Sequence, residues 1–126
     1  MFTITIIAGS KSDERIVNEV TEVLENNVDF TIHYASCHRN PEVVDRIVAE
    51  SSAQVFICIA GLAAALPGYV AARTKKPVIG VPVSGLLNGL DALLSIAQLP
   101  KGVPVACVGI DNGQNAGLLA LRILRK

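Results

Sequence analysis

The chain has 126 residues, of which 51% are hydrophobic and 17% charged, and its 11 Lys and Arg side chains equal its 11 Asp and Glu side chains in number. This length fits a single domain over residues 1–126, and the balanced charge excludes the basic stripe that typifies nucleic-acid binding. The apolar share is high for a soluble monomer, so we expect buried contacts between subunits.

The chain shows no predicted export or membrane segment. Its first residues lack the cationic region and long apolar core of a signal peptide. Residues 55–72 carry no charge and approach the length of a membrane span, but Gly61, Pro67 and Gly68 interrupt them. A buried strand, a loop and a helix explain this stretch better. The three cysteines lack the spacing of metal ligands, and we expect a cytoplasmic protein without a metal site.

Five apolar, strand-like runs alternate with helical patterns along the chain. The predicted strands cover residues 3–8, 30–35, 54–60, 78–81 and 105–110. The predicted helices cover residues 16–24, 41–48, 67–74, 90–99 and 114–126. Continuous apolar strands that alternate with helices indicate an α/β fold, with a parallel sheet that helices cover on both faces.

Two of these helices carry further information. Asn40 is predicted as the N-cap of the second helix, with Pro41 at its first position. The helix over residues 90–99 is apolar on nearly every side. Because such a helix must be buried, we expect a partner subunit to cover it.

Three polar or small-residue segments each follow one of the first three strands. They cover residues 9–13, 36–41 and 61–68. In an open parallel sheet, ligands bind beyond the carboxyl ends of the strands, where the strand order reverses. The three segments are therefore predicted to converge on one pocket.

The first segment, Gly9-Ser10-Lys11-Ser12-Asp13, is typical of a phosphate-binding loop at the start of a helix. Gly9 permits close approach of the backbone, Ser10 and Ser12 offer hydroxyl donors, and Asp13 could accept hydrogen bonds from a ribose. The spacing is neither that of a Walker loop nor that of the dinucleotide fingerprint. Plain helix capping, with Ser10 as N-cap, explains the segment equally well.

The second segment, Ser36-Cys37-His38-Arg39-Asn40-Pro41, offers acid–base chemistry. The imidazole of a histidine such as His38 can move protons in both directions, and Arg39 can hold a phosphate or carboxylate in a planar fork. A histidine in a loop is often only a surface residue, but its neighbours here favour a functional role. Cys37 as a nucleophile is the weaker alternative, since no second histidine lies near it in sequence.

The third segment, residues 61–68, carries little side-chain chemistry. Its small residues would let backbone amides line a tight, dry cavity. Close packing of a helix on a strand is the alternative explanation.

Taken together, these segments resemble the aminoimidazole ribonucleotide carboxylase/mutase family of purine biosynthesis. The family's Gly-Ser-x-Ser-Asp loop matches residues 9–13, and its Ser-Ala-His-Arg-x-Pro loop matches residues 36–41. Its Ala-Gly-x-Ala-Ala-His-Leu-Pro-Gly loop matches residues 60–68. Residues 77–82, 89–96 and 102–105 also follow the family, so the resemblance covers nearly the whole chain.

The resemblance implies a three-layer, flavodoxin-like, doubly wound parallel sheet in a homo-octamer. It also implies an isomerase, or mutase, that moves CO2 from N5 to C4 of 5-aminoimidazole ribonucleotide without a cofactor or metal. His38 would be the catalytic proton-transfer residue. The implied substrate-binding residues are Gly9, Ser10, Ser12, Asp13, Ser36, Arg39, Gly61, Leu62, Ala63, Ala64 and Leu66.

Three departures from the family pattern leave alternatives open. Cys37 replaces an alanine, and Ala65 replaces a histidine that marks the bacterial mutases. The sequence also stops at Lys126, where relatives commonly continue with a helical tail, so we expect either reduced activity or a divergent, engineered or truncated member of the family. The alternatives are a carboxylase that uses free CO2 and a nucleotide-binding paralogue without turnover. A third, the carboxylase of nickel-pincer cofactor synthesis, needs a cysteine near Gln98 and Leu99, where the chain has none.

Overall fold

Strands and helices alternate through the whole of residues 3–126, which the structure, a computed structural model, describes. A short 3₁₀ helix over Lys11–Asp13 follows the first strand. The elements are β1 (Thr3–Ala8), α1 (Glu14–Leu24), β2 (Asp29–Tyr34), α2 (Pro41–Glu50), β3 (Val55–Ala60), α3 (Leu66–Ala71), β4 (Val78–Pro82), α4 (Leu90–Ala97), β5 (Ala106–Cys107) and α5 (Gly113–Ile123). The predicted alternation is confirmed.

The five strands form one parallel sheet in the order β2-β1-β3-β4-β5. This is the strand order of flavodoxin-like folds, whose ligands bind where the order reverses between β1 and β3. β1 and β3 are buried along nearly their whole length, as continuous apolar runs require when helices cover both faces. The flavodoxin-like α/β architecture is thereby confirmed.

Helices form a layer on each face of the sheet. On one face α1 and α5 pack against each other and against residues such as Ile6 and Ile57. On the other face α2, α3 and α4 cover residues such as Ile7 and Phe56. Gly80 lets this second layer lie close to β4, because a Cβ there would be 2.6 Å from Cγ2 of Ile96.

The last strand is much shorter than predicted. The pattern predicted residues 105–110, but only Ala106–Cys107 form the strand. Pro104 precedes it and has no N–H to donate to the ladder. Beyond it the chain still bonds to β4, since Val108 N donates to Gly80 O (3.1 Å) and Asp111 N donates to Pro82 O (2.8 Å).

Three helices end earlier than predicted. α3 ends at Ala71 rather than near residue 74, and α4 ends at Ala97 rather than at 99. α5 ends at Ile123 rather than at 126, because Arg125 adopts a left-handed conformation with φ 61°.

No helix within residues 3–126 combines the length and apolar character that a membrane crossing needs. The uncharged stretch over residues 55–72 is β3, a loop and α3, as predicted.

Candidate functional site

The loops after β1, β2 and β3 meet at one end of the sheet and enclose a pocket of about 260 Å³. The pocket lies at the point where the strand order reverses, as the motif positions predicted. Its lining consists of Gly9, Ser10, Ser12, Asp13, Ser36, Cys37, His38, Arg39, Ala60, Gly61, Leu62, Ala63, Ala65 and Leu66.

The predicted binding residues and the observed lining differ at four positions. Ala64, which was predicted as a substrate contact, does not line the pocket; it is 1% exposed and packs among the buried side chains under α3. Cys37, Ala60 and Ala65 do line it, although they were not among the predicted binding residues. Their position inside the matched motifs was the signal that could have included them.

The first loop is a capped turn as well as a pocket wall. Ser10 is the N-cap of the short 3₁₀ helix, and its Oγ accepts a hydrogen bond from Ser12 N (3.2 Å) and lies 2.9 Å from Ser12 Oγ. Gly9 N donates to Ile59 O (3.0 Å), which ties the loop to β3. The capping interpretation is thus confirmed, and it leaves both hydroxyl groups at the pocket.

Asp13 is the buried charge of the site. Only 8% of the residue is exposed. Burial raises the pKa of its carboxyl group, and Asp111 raises it further, while a backbone hydrogen bond at Ser10 and the nearby Arg15 oppose the change. A buried carboxylate with few partners is poised to accept hydrogen bonds from hydroxyl groups of a ligand.

Ser36 organises the second loop from inside. It is 7% exposed, and its Oγ accepts hydrogen bonds from His38 N (3.2 Å) and Arg39 N (3.1 Å). The side chains of His38 and Arg39 are exposed at the pocket. The guanidinium of Arg39 donates to Gly9 O (3.0 Å), so it links the second loop to the first.

Cys37 is a poor candidate for a nucleophile. It is half-buried, and burial raises the pKa of its thiol, although a backbone hydrogen bond and the nearby Arg73 oppose the change. Because the thiolate is the reactive form, a raised pKa leaves the thiol protonated at neutral pH.

The third loop is short, apolar and strained at one position. Ala63 has φ 48°, a left-handed conformation that costs a non-glycine residue about 1–2 kcal/mol. Leu62 beside it is 73% exposed, whereas Leu66 is 2% exposed. Ala65 is exposed and faces the pocket, so the place of the family's histidine is open rather than filled by neighbouring side chains.

Within residues 3–126, no group of three or more His, Cys, Asp or Glu side chains is arranged to hold a metal ion. Apart from the serine hydroxyls, the pocket's polar side chains are a carboxylate, an imidazole, a guanidinium and a thiol. This set can bind an anion and move a proton.

Residues 3–126 match the family model described as AIR carboxylase. The N5-carboxyaminoimidazole ribonucleotide mutase of Methanocaldococcus jannaschii is 58% identical over 122 residues, which cover 96% of this chain and 78% of that protein. The enzyme of the same name from Pyrococcus abyssi is 52% identical over 94% of this chain and 71% of its own length. The crystal structure of Treponema denticola PurE superposes with a TM-score of 0.83 at 30% identity, covering 99% of this chain and 81% of that one.

Proposed function

Since the chain belongs to the AIR carboxylase family, we propose that it is an isomerase of purine biosynthesis, an N5-carboxyaminoimidazole ribonucleotide mutase. It moves CO2 from N5 to C4 of 5-aminoimidazole ribonucleotide. Both archaeal relatives described above carry this name. The observation that carries the proposal is the pocket where three loops bring together His38, Arg39 and Asp13.

Substrate binding is assigned to groups whose chemistry matches a ribonucleotide. Ser10, Ser12, Ser36 and Arg39, with the close backbone at Gly9, hold the phosphate, and Asp13 accepts hydrogen bonds from the ribose. The third loop contacts the base through Gly61, Leu62, Ala63 and Leu66. Ala64 is not assigned a side-chain contact, because its methyl group is buried away from the pocket.

The chemistry requires one mobile CO2 and one proton. The carbamate C–N bond breaks, the electron pair stays on N5, and CO2 is released. Ring carbon C4, which is electron-rich like the carbon of an enamine, then attacks CO2 and forms the new C–C bond. His38 takes the proton from C4 and delivers one to N5, so the reaction is balanced without a cofactor. A small pocket that a neighbouring subunit closes would keep CO2 in place between the two steps.

We further propose that the enzyme is a homo-octamer of the cytoplasm. The pocket of about 260 Å³ is smaller than the 300–1,000 Å³ typical of ligand sites, so a bound nucleotide would extend beyond one chain. Apolar side chains near the carboxyl end of the sheet are exposed, with Leu62 at 73%, Leu86 at 69% and Leu87 at 72%. A neighbouring subunit would cover them and close the site.

Transfer of a labelled carboxyl group tests the proposal. Substrate carrying ¹³C in the N5 carboxyl group is expected to give product labelled at the C4 carboxyl group, even with unlabelled bicarbonate in excess. Turnover only with aminoimidazole ribonucleotide and bicarbonate would show a carboxylase that uses free CO2. Nucleotide binding without turnover would show a non-catalytic paralogue.

The variant His38→Asn tests the role of the imidazole. It should abolish turnover while nucleotide affinity stays within about tenfold, or about 1.4 kcal/mol. Calorimetric titration with the nucleotide provides the binding measurement. Turnover that persists in the variant would refute the assignment of His38.

A further inference from the structure

The side chain of Asn40 bonds back to the loop that carries His38. Asn40 occupies the N-cap position of α2, as predicted, but its side chain makes no hydrogen bond to that helix. Its Oδ1 instead accepts from Ser36 N (2.8 Å), while its own backbone N donates to Ser36 O (2.9 Å). These two bonds hold the ends of the loop together from Ser36 to Asn40.

Ser36 passes this constraint on to the two residues that face the pocket. It is buried, and its Oγ accepts from the backbone N–H groups of His38 and Arg39. Any shift of Ser36 would therefore move both residues. Asn40 fixes Ser36 from the side of α2, whose Val44 is anchored in the core.

His38 depends on this arrangement more than Arg39 does. The Arg39 guanidinium has an anchor of its own, the carbonyl of Gly9. No hydrogen bond or ion pair within residues 3–126 involves the His38 imidazole, and the residue is exposed. Its placement at the pocket is therefore set by the backbone of the loop.

We propose that Asn40 is a positioning residue for the reaction. It acts through Ser36 and keeps the His38 imidazole at the pocket, within reach of the substrate. This inference rests on the proposed function, since it takes His38 as the proton-transfer group. Misplacement of a reacting group by about 1 Å can cost about 100-fold in rate. Loss of the Asn40 side chain is expected to misplace His38 and so lower the rate, without unfolding the chain.

The experiment compares Asn40→Ala, which removes the acceptor, with Asn40→Asp, which keeps an oxygen able to accept from Ser36 N. Asn27→Ala is the matched control. The Asn27 side chain also bonds only to backbone, donating to Val23 O (3.0 Å) and Glu25 O (3.3 Å), and it lies after α1, at the opposite end of the sheet.

Asn40→Ala should lower kcat by about 10- to 100-fold with a smaller change in KM, because Arg39 keeps its bond to Gly9. Asn40→Asp should restore most of kcat. Both alanine variants should lower Tm by similar amounts, and Asn27→Ala should leave kcat unchanged. An unchanged kcat in Asn40→Ala, an equal loss in Asn27→Ala, or no recovery in Asn40→Asp would overturn the inference.

Amide hydrogen exchange of the ligand-free protein separates this inference from the proposed function. The His38 and Arg39 amides should exchange faster in Asn40→Ala and at the wild-type rate in Asn27→Ala. Wild-type protein without turnover would refute the proposed function. The exchange rates would still show whether Asn40 fixes the backbone of the loop at His38 and Arg39. Unchanged rates in Asn40→Ala would overturn the inference.

Discussion

The pocket combines one buried carboxylate with exposed polar side chains and a wall of small residues. Asp13 is 8% exposed, while His38, Arg39 and Ala65 are exposed at the same pocket. A charge that is costly to bury is retained where it can bind a ligand, which is a common sign of function. Single substitutions can therefore separate the contributions of individual residues to stability and to activity.

Ala65→His is expected to raise turnover. Ala65 is exposed at the pocket and sits beside Leu66, where α3 begins, so an imidazole there has room to face the substrate. One hydrogen bond to the migrating carboxylate is worth about 0.5–1.5 kcal/mol, or roughly 2- to 12-fold in rate. Steady-state turnover and Tm should be measured together. A lower Tm without a gain in rate would instead indicate overpacking of a reshaped pocket.

Asp13→Asn is expected to stabilise the ligand-free protein at pH 7. Burial raises the pKa of Asp13 in the folded state, so folding favours the protonated carboxyl group. The wild type therefore loses stability as the pH rises from about 4 through the raised pKa, whereas the variant has no such ionisation.

The Tm of the variant should exceed that of the wild type at pH 7, and the difference should vanish below the ordinary Asp pKa of 3.8. Nucleotide affinity should fall by about tenfold or more, the cost of a hydrogen bond to a charged group. A lower Tm at pH 7 would show that Asp13 stabilises the fold, contrary to this reasoning.

Hydrogen bonds between side chains and backbone join the loops that follow β4 and β5. The carboxylate of Asp111 accepts hydrogen bonds from Ser84 N (2.8 Å) and Ser84 Oγ (2.5 Å), and Arg15 of α1 lies 4.0 Å from it. Burial acts to raise the pKa of Asp111, but the two Ser84 bonds and Arg15 lower it overall. The chain beyond the short β5 is thus fixed by an ionised side chain as well as by backbone bonds.

Asp111→Asn should lower the free energy of unfolding by about 1 kcal/mol at pH 7, because hydrogen bonds to a charged group are stronger than those to a neutral amide. Asparagine tolerates the left-handed backbone at this position, φ 59°, so strain is not added. Because the pKa of Asp111 is lower in the folded state than in the unfolded state, its ionised carboxylate stabilises the fold above pH 3.8. This stabilisation is lost as the pH falls through the pKa of the folded state.

Urea unfolding of both proteins at pH 7 and pH 3 measures this difference. The deficit should shrink at pH 3. Asp29→Asn, at an exposed position of the edge strand, is the control and should show no deficit at either pH. An equal deficit at both pH values would exclude the ionised form as the source of the stability.

A single chain leaves part of its apolar surface exposed to solvent. α4 buries Ala92 and Ile96 against the sheet, yet Leu90 is 52% and Leu94 is 44% exposed. Leu86 and Leu87 in the loop before α4 are exposed as well. Contiguous apolar surface of this kind marks a contact with another protein, and a second copy of the chain fits the closed symmetry of most oligomers.

The protein is therefore expected to be larger than a dimer in solution, with α4 at a subunit contact. Light scattering at micromolar concentration measures the mass, and Leu90→Arg should reduce it by burying a charge at the contact. Leu118→Arg, on the exposed side of α5 where the leucine is 42% exposed, is the control and should keep the wild-type mass. A monomeric or dimeric wild type would contradict the expectation.

Local sequence patterns were enough to predict the order of the elements and the three loops of the pocket. Both depend on local patterns, since strands such as β1 and β3 are continuous apolar runs and the loop motifs follow them directly. The residues of the second loop indicated a proton-transfer role for His38, and resemblance to a known family supplied the reaction. Neither the local patterns nor the resemblance predicted where α3, α4 and α5 end, or that β5 is so short. The helix ends depend on how the chain packs, and β5 lies at the edge of the sheet, where it pairs with β4 on one side.

The side-chain bonds that join the loops at the carboxyl end of the sheet are evident only from the fold. Asp111 accepts hydrogen bonds from Ser84, 27 residues away in sequence, and Arg39 donates to Gly9, 30 residues away. Asn40 turns toward Ser36 rather than into its own helix. Local sequence cannot specify these pairings, because they depend on which strands the sheet makes neighbours and on which competing hydrogen bond the packed backbone allows.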